Sequence, residues 1–340
     1  MTLHDPASPE APDGWDDAVA RGALHPFWSW QVVRAAGPGV RGTPVVASFR
    51  DSGKIVGVGA GWIRFGGDRW PHLGVVDVKC VGPGCLPGLA LLDHLPNGLG
   101  IELFDTDLFA AARRAFEQAV REQYSSRLSF LYREMYSEML PTTMRSVSVA
   151  FVGPRATVLP FTFDSFDGYL KRLSQSRRAS LRRLLRQFDA KTGLDISIRK
   201  DPQDLDHPAM KRLADETARR NHRGGWSRPR AYDTRVRRAL TEAPGSWVLR
   251  YQEPAGLLAW GITYDHPTMP VAGAWGAHDA KGQGGHSGIW FDQLARTVRH
   301  TIELGRSGLI EGKGQNAIKV DCGFIEVPRW SVLCRPDRRS

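Results

Sequence analysis

Cysteine is scarce in this chain, and no two of its cysteines form a Cys-x-x-Cys pair. The four are Cys80, Cys85, Cys322 and Cys334. Isolated cysteines lack the ligand spacing of a structural zinc site, and they do not make up the framework of a disulfide-rich domain. The sequence therefore predicts no bound metal ion and no stabilising disulfide, and it predicts that the thiols act as small apolar side chains.

Long apolar runs are absent as well. No uninterrupted stretch of about 18 apolar residues occurs, so the sequence predicts no transmembrane helix. The N-terminal segment, MTLHDPASPEAPDGWDD, is acidic and rich in proline and alanine, whereas a secretory signal begins with basic residues and an apolar run. We therefore expect a cytoplasmic protein.

Several catalytic signatures are missing. The sequence contains no Gly-x-Ser-x-Gly elbow, no His-Glu-x-x-His motif, no Walker loop and no Rossmann fingerprint. These absences argue against the hydrolases, zinc proteases, P-loop NTPases and dinucleotide-dependent enzymes that carry them. The apolar fraction of 41% nevertheless suffices for folded cores, and 340 residues suit two domains of ordinary size.

Acidic residues are outnumbered by basic ones. Lysine and arginine together number 46, aspartate and glutamate number 36, and the formal net charge is +10. A basic surface favours polyanionic partners such as nucleic acid, nucleotides or anionic lipid headgroups. Charge therefore points to a phosphate-rich ligand without naming one.

The order of predicted elements indicates mixed α/β domains. Thr43–Arg50 and Lys54–Phe65 are typical of a β-hairpin, and Leu108–Gln123 is typical of an amphipathic helix. The Pro- and Gly-containing segment Val152–Phe163 marks a boundary, which predicts one domain over residues 1–157 and a second over 158–340. The second half has the predicted order αβααβββαββ, which suits a GNAT-like domain better than a doubly wound sheet.

A strongly basic helical region is predicted from a cap at Ser165 to about Lys191. The candidates in it for contact with an anionic partner are Arg178, Arg182, Arg183 and Arg186. Three of them stand at i, i+4 and i+8, where like charges repel unless solvent or an anion surrounds them. Arg177 falls on the apolar side instead, where a guanidinium requires a ligand or a carboxylate.

A glycine-rich turn, Lys281–Gly288, precedes the predicted helix Ile289–Leu304. GNAT acetyltransferases have a Q/R-x-x-G-x-G/A motif at this place, whose amides bind the pyrophosphate of coenzyme A. Counted from Gln283, this pattern has His286 where its first glycine belongs, and a plain structural turn explains the glycines equally well. His286 and His278 are also candidate general bases, although a packing role is the simpler interpretation.

Two segments of the second half resemble the FemAB-like, Fem-type aminoacyltransferases of the GNAT superfamily. From Phe166 to Arg183 the sequence follows F-x-x-Y-L-x-x-L-S-x-x-x-R-x-x-L-R-R, which is similar to a helix of that family. Between Glu311 and Phe324 a glutamate, a glutamine, a lysine and a final Gly-Phe succeed one another, as in a loop of that family. The resemblance covers roughly residues 160–335 and implies two tandem GNAT-like domains, of which the first is degenerate.

The resemblance implies attack of an amine on an activated acyl carbon, without a covalent enzyme intermediate and without a bound cofactor. Lys319 would supply the electrophilic or phosphate-binding cation, and Glu311 would orient or deprotonate the amine. The implied substrate-binding residues are Arg177, Gln315, Trp260, Trp275 and Tyr169. The two tryptophans are plausible channel walls, while buried strand tryptophans are more often plain core.

The resemblance and the basic helix together favour an aminoacyl-tRNA donor whose acceptor stem lies along the arginines. The expected acceptor is the amine of a small peptide or peptide-like molecule, of the cell-wall type or of the pacidamycin type of antibiotic assembly. Two alternatives stay open. One is an acyl-CoA-dependent N-acyltransferase with a divergent phosphate loop, and the other is a non-catalytic nucleic-acid-binding protein with the same fold.

Overall fold

The computed structural model describes residues 1–21, 24–36, 42–65, 74–79, 89–91, 106–136, 147–200, 205–221, 234–280, 285–311 and 315–336. The chain divides into two compact units. Unit 1 comprises Met1–Ala156 and Glu326–Ser340, and unit 2 comprises Thr157–Ile325. The sequence assigns everything after residue 157 to the second domain, whereas in the structure the last residues belong to unit 1.

The chain up to the boundary forms both strands and helices. In chain order these elements are β1 (Thr2–His4), α1 (Trp15–Ala20), a 3₁₀ turn (Pro26–Trp28), α2 (Trp30–Ala36), β2 (Thr43–Asp51), β3 (Lys54–Phe65), β4 (Gly74–Lys79), β5 (Leu89–Leu91), α3 (Thr106–Gln123), β6 (Ser129–Tyr136) and β7 (Val147–Pro160). The predicted hairpin and the predicted amphipathic helix are confirmed as β2–β3 and α3. A predicted strand at residues 100–104 lies outside the described residues.

The elements after the boundary follow the predicted order closely. They are α4 (Phe166–Arg172), α5 (Gln175–Asp189), β8 (Asp195–Arg199), α6 (His207–Asn221), α7 (Thr234–Glu242), β9 (Ser246–Glu253), β10 (Gly256–Tyr264), β11 (Val271–Ala277), α8 (Ile289–Glu303), β12 (Gly308–Glu311), α9 (Asn316–Asp321) and β13 (Ile325–Cys334). The short helix α9 stands between the last two strands and was not predicted.

The basic region forms two helices rather than one. Leu173 and Ser174 adopt extended backbone angles, with ψ values of 157° and 152°, which ends α4 and starts α5. The Ser174 hydroxyl caps α5 by accepting a hydrogen bond from the backbone N–H of Arg177 at 3.3 Å. Ser165 caps α4 in the same way through Gly168, at 3.1 Å. Serines favour such caps because their oxygen satisfies an amide that has no partner within the helix.

Unit 1 has the strand order β1-β2-β3-β4-β6-β13-β7, with β5 paired to β3. The helix α3 covers a core of buried residues from β2, β3, β6 and β13. Strands β4 and β6 run parallel and stay in register over five successive pairs, from Val75 opposite Ser129 to Lys79 opposite Arg133. The two strands are therefore paired without a gap over these five residues.

Unit 2 has the strand order β7-β12-β11-β10-β9-β8. Helices cover both faces of this sheet. A Cβ on Gly276 would lie 2.7 Å from the backbone nitrogen of Ala214 in α6, and a Cβ on Gly261 would lie 2.8 Å from Nε2 of Gln293 in α8. Glycine is required where a helix approaches a strand this closely. The sheet is thus held between α6 and α8.

Candidate functional site

The parallel strands β11 and β12 of unit 2 are in register at only one residue pair, Val271 opposite Ile310, in the described part of the chain. Strand β12 ends at Glu311, while β11 continues to Ala277. Beyond Ala272, no described strand pairs with this edge of β11. Unit 1 has the same element order, with three antiparallel strands followed by α3 and β6. Its parallel strands, β4 and β6, are paired without a gap over five residues. Among the described residues, this edge of β11 is therefore left open in unit 2.

A β-bulge lies in β11 beside this open edge. Trp275 is opposite Gly261 and Ala272 is opposite Thr263, so that Gly273 and Ala274 together face the single residue Ile262. A bulge leaves one residue out of the ladder and turns its backbone groups away from the neighbouring strand. A backbone N–H released in this way can stabilise a developing oxyanion.

Lys319 and Glu311 form an ion pair at the end of β12. Nζ of Lys319 lies 3.3 Å from Oε2 of Glu311, and only 6% and 12% of the two side chains are exposed. Glu311 directly follows Ile310, the residue that registers β12 with β11. The structure therefore brings together the two residues that the sequence predicts as catalytic.

The helix that carries Lys319 is only six residues long and is held at its C-terminal end. The backbone N–H groups of Cys322 and Phe324 both donate to the carbonyl of Lys319, at 2.9 and 3.1 Å. The hydroxyl of Tyr169, which is fully buried, donates to the carbonyl of Cys322 at 3.0 Å. Since Tyr169 has no exposed surface, the structure gives it a role in holding α9 rather than direct contact with a substrate.

Gln315 stands at the other end of α9. Its φ of 55° is one of two positive values among the described non-glycine residues, and its side chain is exposed and makes no cap hydrogen bond. A glutamine in the left-handed region is strained by about 1–3 kcal/mol. The strain and the exposure together leave this side chain available to a ligand.

Arg177 meets a carboxylate, as its position on the apolar side of the helix requires. Its Nη2 lies 3.2 Å from Oδ2 of Asp321, and its guanidinium lies 4.9 Å from the ring centroid of Phe291. Arg177, Asp321 and Glu311 all act electrostatically on the thiol of Cys322, and burial raises the pKa of that thiol to about 11. Arg177 thus joins the start of α5 to the end of α9 through Asp321.

The two tryptophans predicted as channel walls lie in different surroundings. Trp260 is fully buried, and its Nε1 donates to the carbonyl of Met210 at 2.9 Å, which makes it a core residue between β10 and α6. Trp275 is partly buried in β11, opposite Gly261. It packs against an apolar cluster that includes Phe188 and Tyr251. Of the two, only Trp275 has surface near the bulge.

The four arginines predicted to contact tRNA lie on α5. Arg182 makes an ion pair with Asp167 at 3.0 Å, in which the two side chains are 50% and 74% exposed. Nε of Arg186 donates to the carbonyl of Arg182 at 3.3 Å. An ion pair this exposed contributes little to stability and exchanges readily for another anion. The arginines of α5 therefore offer cations to a polyanion.

Two backbone amides at the start of α8 are engaged within the helix's own first turn. The backbone N–H of Ile289 donates to the carbonyl of His286 at 3.3 Å, and that of Phe291 donates to Gly288 at 2.9 Å. Two of the first amides of the helix thus close the turn itself. Residues 281–284 of the predicted phosphate loop lie outside the described residues.

Carboxylates also stand beside the start of α8. Glu253 accepts a hydrogen bond from Lys191 at 2.7 Å and lies 2.9 Å from Nε2 of His286. Hydrogen bonds from these two residues lower the pKa of Glu253, so it is charged at neutral pH. The ammonium of Lys191 matches this charge, so the cluster adds no net negative charge at the start of the helix. His286 is therefore part of a local ion cluster, and His278 lies 3.3 Å from Oε2 of Glu216.

Over the described ranges, His, Cys, Asp and Glu side chains form no group of three that could hold a metal ion. Similarly, none of the helices in those ranges combines the length and apolar character of a membrane span.

Comparisons with known proteins give a fold and no sequence family. No protein-family model matches the chain, and no curated protein matches it. Among solved structures, L-PGS from Bacillus licheniformis is 10% identical and aligns over 97% of this chain and 93% of its own, with a TM-score of 0.60.

Two further structures align over nearly the whole chain. FemX is 8% identical and covers 98% of this chain and 97% of its own, with a TM-score of 0.58. The C-terminal domain of a protein named as a lysylphosphatidylglycerol synthetase, from Agrobacterium fabrum, is 13% identical and covers 94% and 90%, with a TM-score of 0.58. The chain thus has the mixed α/β fold of these proteins, divided into two compact units.

Proposed function

We propose that this chain is an aminoacyltransferase, which moves the aminoacyl group of a charged tRNA to the amine of a small peptide or peptide-like acceptor. The observation that carries the proposal is the nearly buried Lys319–Glu311 pair at the end of β12, the strand that pairs with the bulged strand β11. Structures of this fold include proteins named FemX and lysylphosphatidylglycerol synthetase, and the second name describes the joining of lysine to a lipid. The second name supports transfer of an amino acid rather than of another acyl group.

The reaction needs no group beyond those in unit 2. The acceptor amine attacks the ester carbonyl carbon of the aminoacyl-tRNA, and a backbone N–H of the bulge at Gly273–Ala274 stabilises the oxyanion. Glu311 takes the proton that the amine loses as the C–N bond forms. The bond from carbon to the ribose oxygen then breaks, and that oxygen receives the proton. Lys319 stabilises the negative charge that builds up during these steps.

The donor is inferred from charge. Coenzyme A would place a pyrophosphate at the start of α8, where two amides already close the turn and His286 is engaged with Glu253. The exposed arginines Arg178, Arg182, Arg183 and Arg186 on α5 instead offer a row of cations to a nucleic-acid backbone. We therefore favour tRNA over an acyl-CoA, which remains the competing donor.

The proposal is tested by following the release of a labelled amino acid from charged tRNA in the presence of small-molecule amines extracted from cells. Lys319→Met and Glu311→Gln remove one charge each with little change of shape. We expect each to lower the rate by about a hundredfold or more, since each removes a group that acts on the transition state.

The matched control is Lys211→Met, which removes a lysine from an ion pair with Asp215 on the far helix α6. We expect that variant to retain the full rate. If Lys319→Met and Glu311→Gln stay folded and transfer at the rate of the control, unit 2 does not contain this active site. A non-catalytic nucleic-acid-binding protein would show that pattern together with undisturbed binding of tRNA.

A further inference from the structure

A polar cleft of about 500 Å³ lies between the start of α5 and the end of α9. It is lined by Ser174, Ser176, Arg177, Ser180 and Asp321. Its size suits a ligand as small as an amino acid. The hydroxyl of Ser174 is already engaged, because it caps α5 and contacts the hydroxyl of Ser176 at 3.2 Å. The charged groups of the cleft are therefore those that decide what binds in it.

The guanidinium of Arg177 is held in place before any ligand arrives. It lies on the ring of Phe291 and contacts Asp321, and only 23% of its side chain is exposed. Asp321 by contrast is 65% exposed. A fixed cation thus stands at the wall of the cleft, and a largely solvent-exposed carboxylate stands beside it. An ion pair this exposed contributes little to stability, so stability alone does not account for it.

The charges of this pair select the ligand. A phosphate or a simple carboxylate would meet Arg177 but would bring an unmatched negative charge next to Asp321. A simple amine would meet Asp321 but would bring a positive charge next to Arg177. A molecule with both charges on neighbouring atoms satisfies the two residues at once. An α-amino acid has that arrangement, with its ammonium and carboxylate joined through one carbon.

We propose that this cleft binds the free α-amino acid head group of the acceptor, with its carboxylate on Arg177 and its ammonium on Asp321. The assignment to the acceptor rests on the proposed function, because Asp321 follows Lys319 by two residues. Asp321 is the last residue of α9, the six-residue helix that also carries Lys319. A head group held in the cleft leaves the rest of the acceptor to present the attacking amine.

The proposal is tested by binding alone, using saturation-transfer NMR on the full chain without tRNA. The probes are the twenty protein L-amino acids, followed by the amide and the N-acetyl form of the tightest binder, and inorganic phosphate. We expect millimolar binding of one or more free amino acids, and binding weaker by about tenfold or more for each blocked form. Arg177→Gln and Asp321→Asn are each expected to weaken binding to a similar extent.

Arg238→Gln and Glu242→Gln are the matched controls, because they remove an exposed ion pair on α7 and are expected to leave binding unchanged. Circular dichroism melting verifies that each variant is folded. The proposal is overturned if no free amino acid binds, if phosphate or the N-acetyl form binds equally well, or if folded Arg177→Gln binds as the controls do. Because no transfer is measured, these results stand whatever the donor is found to be.

Discussion

Nζ of Lys319 lies 3.3 Å from Oε2 of Glu311, and the protein nearly excludes both side chains from solvent. Burying two charges costs much of what their attraction returns, so a pair of this kind is a weak source of stability. Removing one partner is different, because it leaves the other charge buried and uncompensated. The pair therefore fits a site that needs both charges.

This coupling predicts a specific pattern of stability. Lys319→Met and Glu311→Gln are each expected to lower the free energy of unfolding by about 3–5 kcal/mol, because each removes one half of a nearly buried ion pair. The double variant should lose clearly less than the sum of the two, and urea unfolding measures all three. If the loss in the double variant equals the sum of the two single losses to within about 0.5 kcal/mol, the two side chains do not interact.

Tyr169→Phe tests whether the tyrosine hydroxyl holds α9. The change leaves the carbonyl of Cys322 without its donor, and we expect a loss of about 1–2 kcal/mol in unfolding free energy at neutral pH. Tyr124→Phe is the control, since Tyr124 is 38% exposed. An equal effect of the two substitutions would show that the buried hydrogen bond contributes nothing of its own.

The same tyrosine predicts a dependence on alkaline pH. Burial raises the pKa of Tyr169 in the folded protein far above its ordinary value of 10.0. The folded state then keeps the phenolic proton that the unfolded chain gives up, so this contribution is complete below pH 10 and falls as the pH rises further. The wild-type protein should therefore lose stability above pH 10 more steeply than Tyr169→Phe, as urea unfolding at successive pH values measures.

Gly288 tests the packing of α5 against the start of α8. It has a φ of 84°, and a Cβ on it would lie 2.6 Å from Cδ2 of Leu184. Gly305 has a similar φ of 69° but no atom within 4 Å of such a Cβ. We expect Gly305→Ala to cost about 1–2 kcal/mol from backbone strain alone, and Gly288→Ala about 1–3 kcal/mol more from the clash. Equal melting temperatures would contradict this packing.

The residues of the site were largely visible in the sequence. Glu311 and Lys319 stood out through their resemblance to a family loop, and Arg177 through its position on an apolar helix face. Asp321 was not singled out, because nothing local to it indicates that it meets a guanidinium from α5. The bulge at Gly273–Ala274 depends on the pairing of β11 with β10, which no local pattern specifies.

The departures in the fold have similar physical reasons. Leu173 and Ser174 break the basic region, and the capping preference of Ser174 was the signal that could have shown it. Helix α9 is too short to show a period in its apolar residues. The placement of β13 in unit 1 follows from its long-range pairing with β6, which sequence order does not indicate.

The arginines of α5 predict how tRNA binding depends on salt. Arg178→Gln, Arg182→Gln and Arg186→Gln should each reduce the slope of log K against log salt concentration by about 0.9 if the side chain contacts a duplex phosphate. Filter binding of charged tRNA at several salt concentrations measures the slopes, with Arg238→Gln on α7 as the control. Slopes that match the wild type in all three variants would remove α5 from the tRNA surface.

The most direct test of the account is a comparison of donors for the wild-type chain. Transfer to cellular small-molecule amines is measured with total charged tRNA that carries one labelled amino acid at a time, with and without ribonuclease, and in parallel with labelled acyl-CoA. The account predicts product from one or more charged tRNAs, loss of that product after ribonuclease, and none from acyl-CoA. Product that survives ribonuclease, or that forms from acyl-CoA without tRNA, would contradict it.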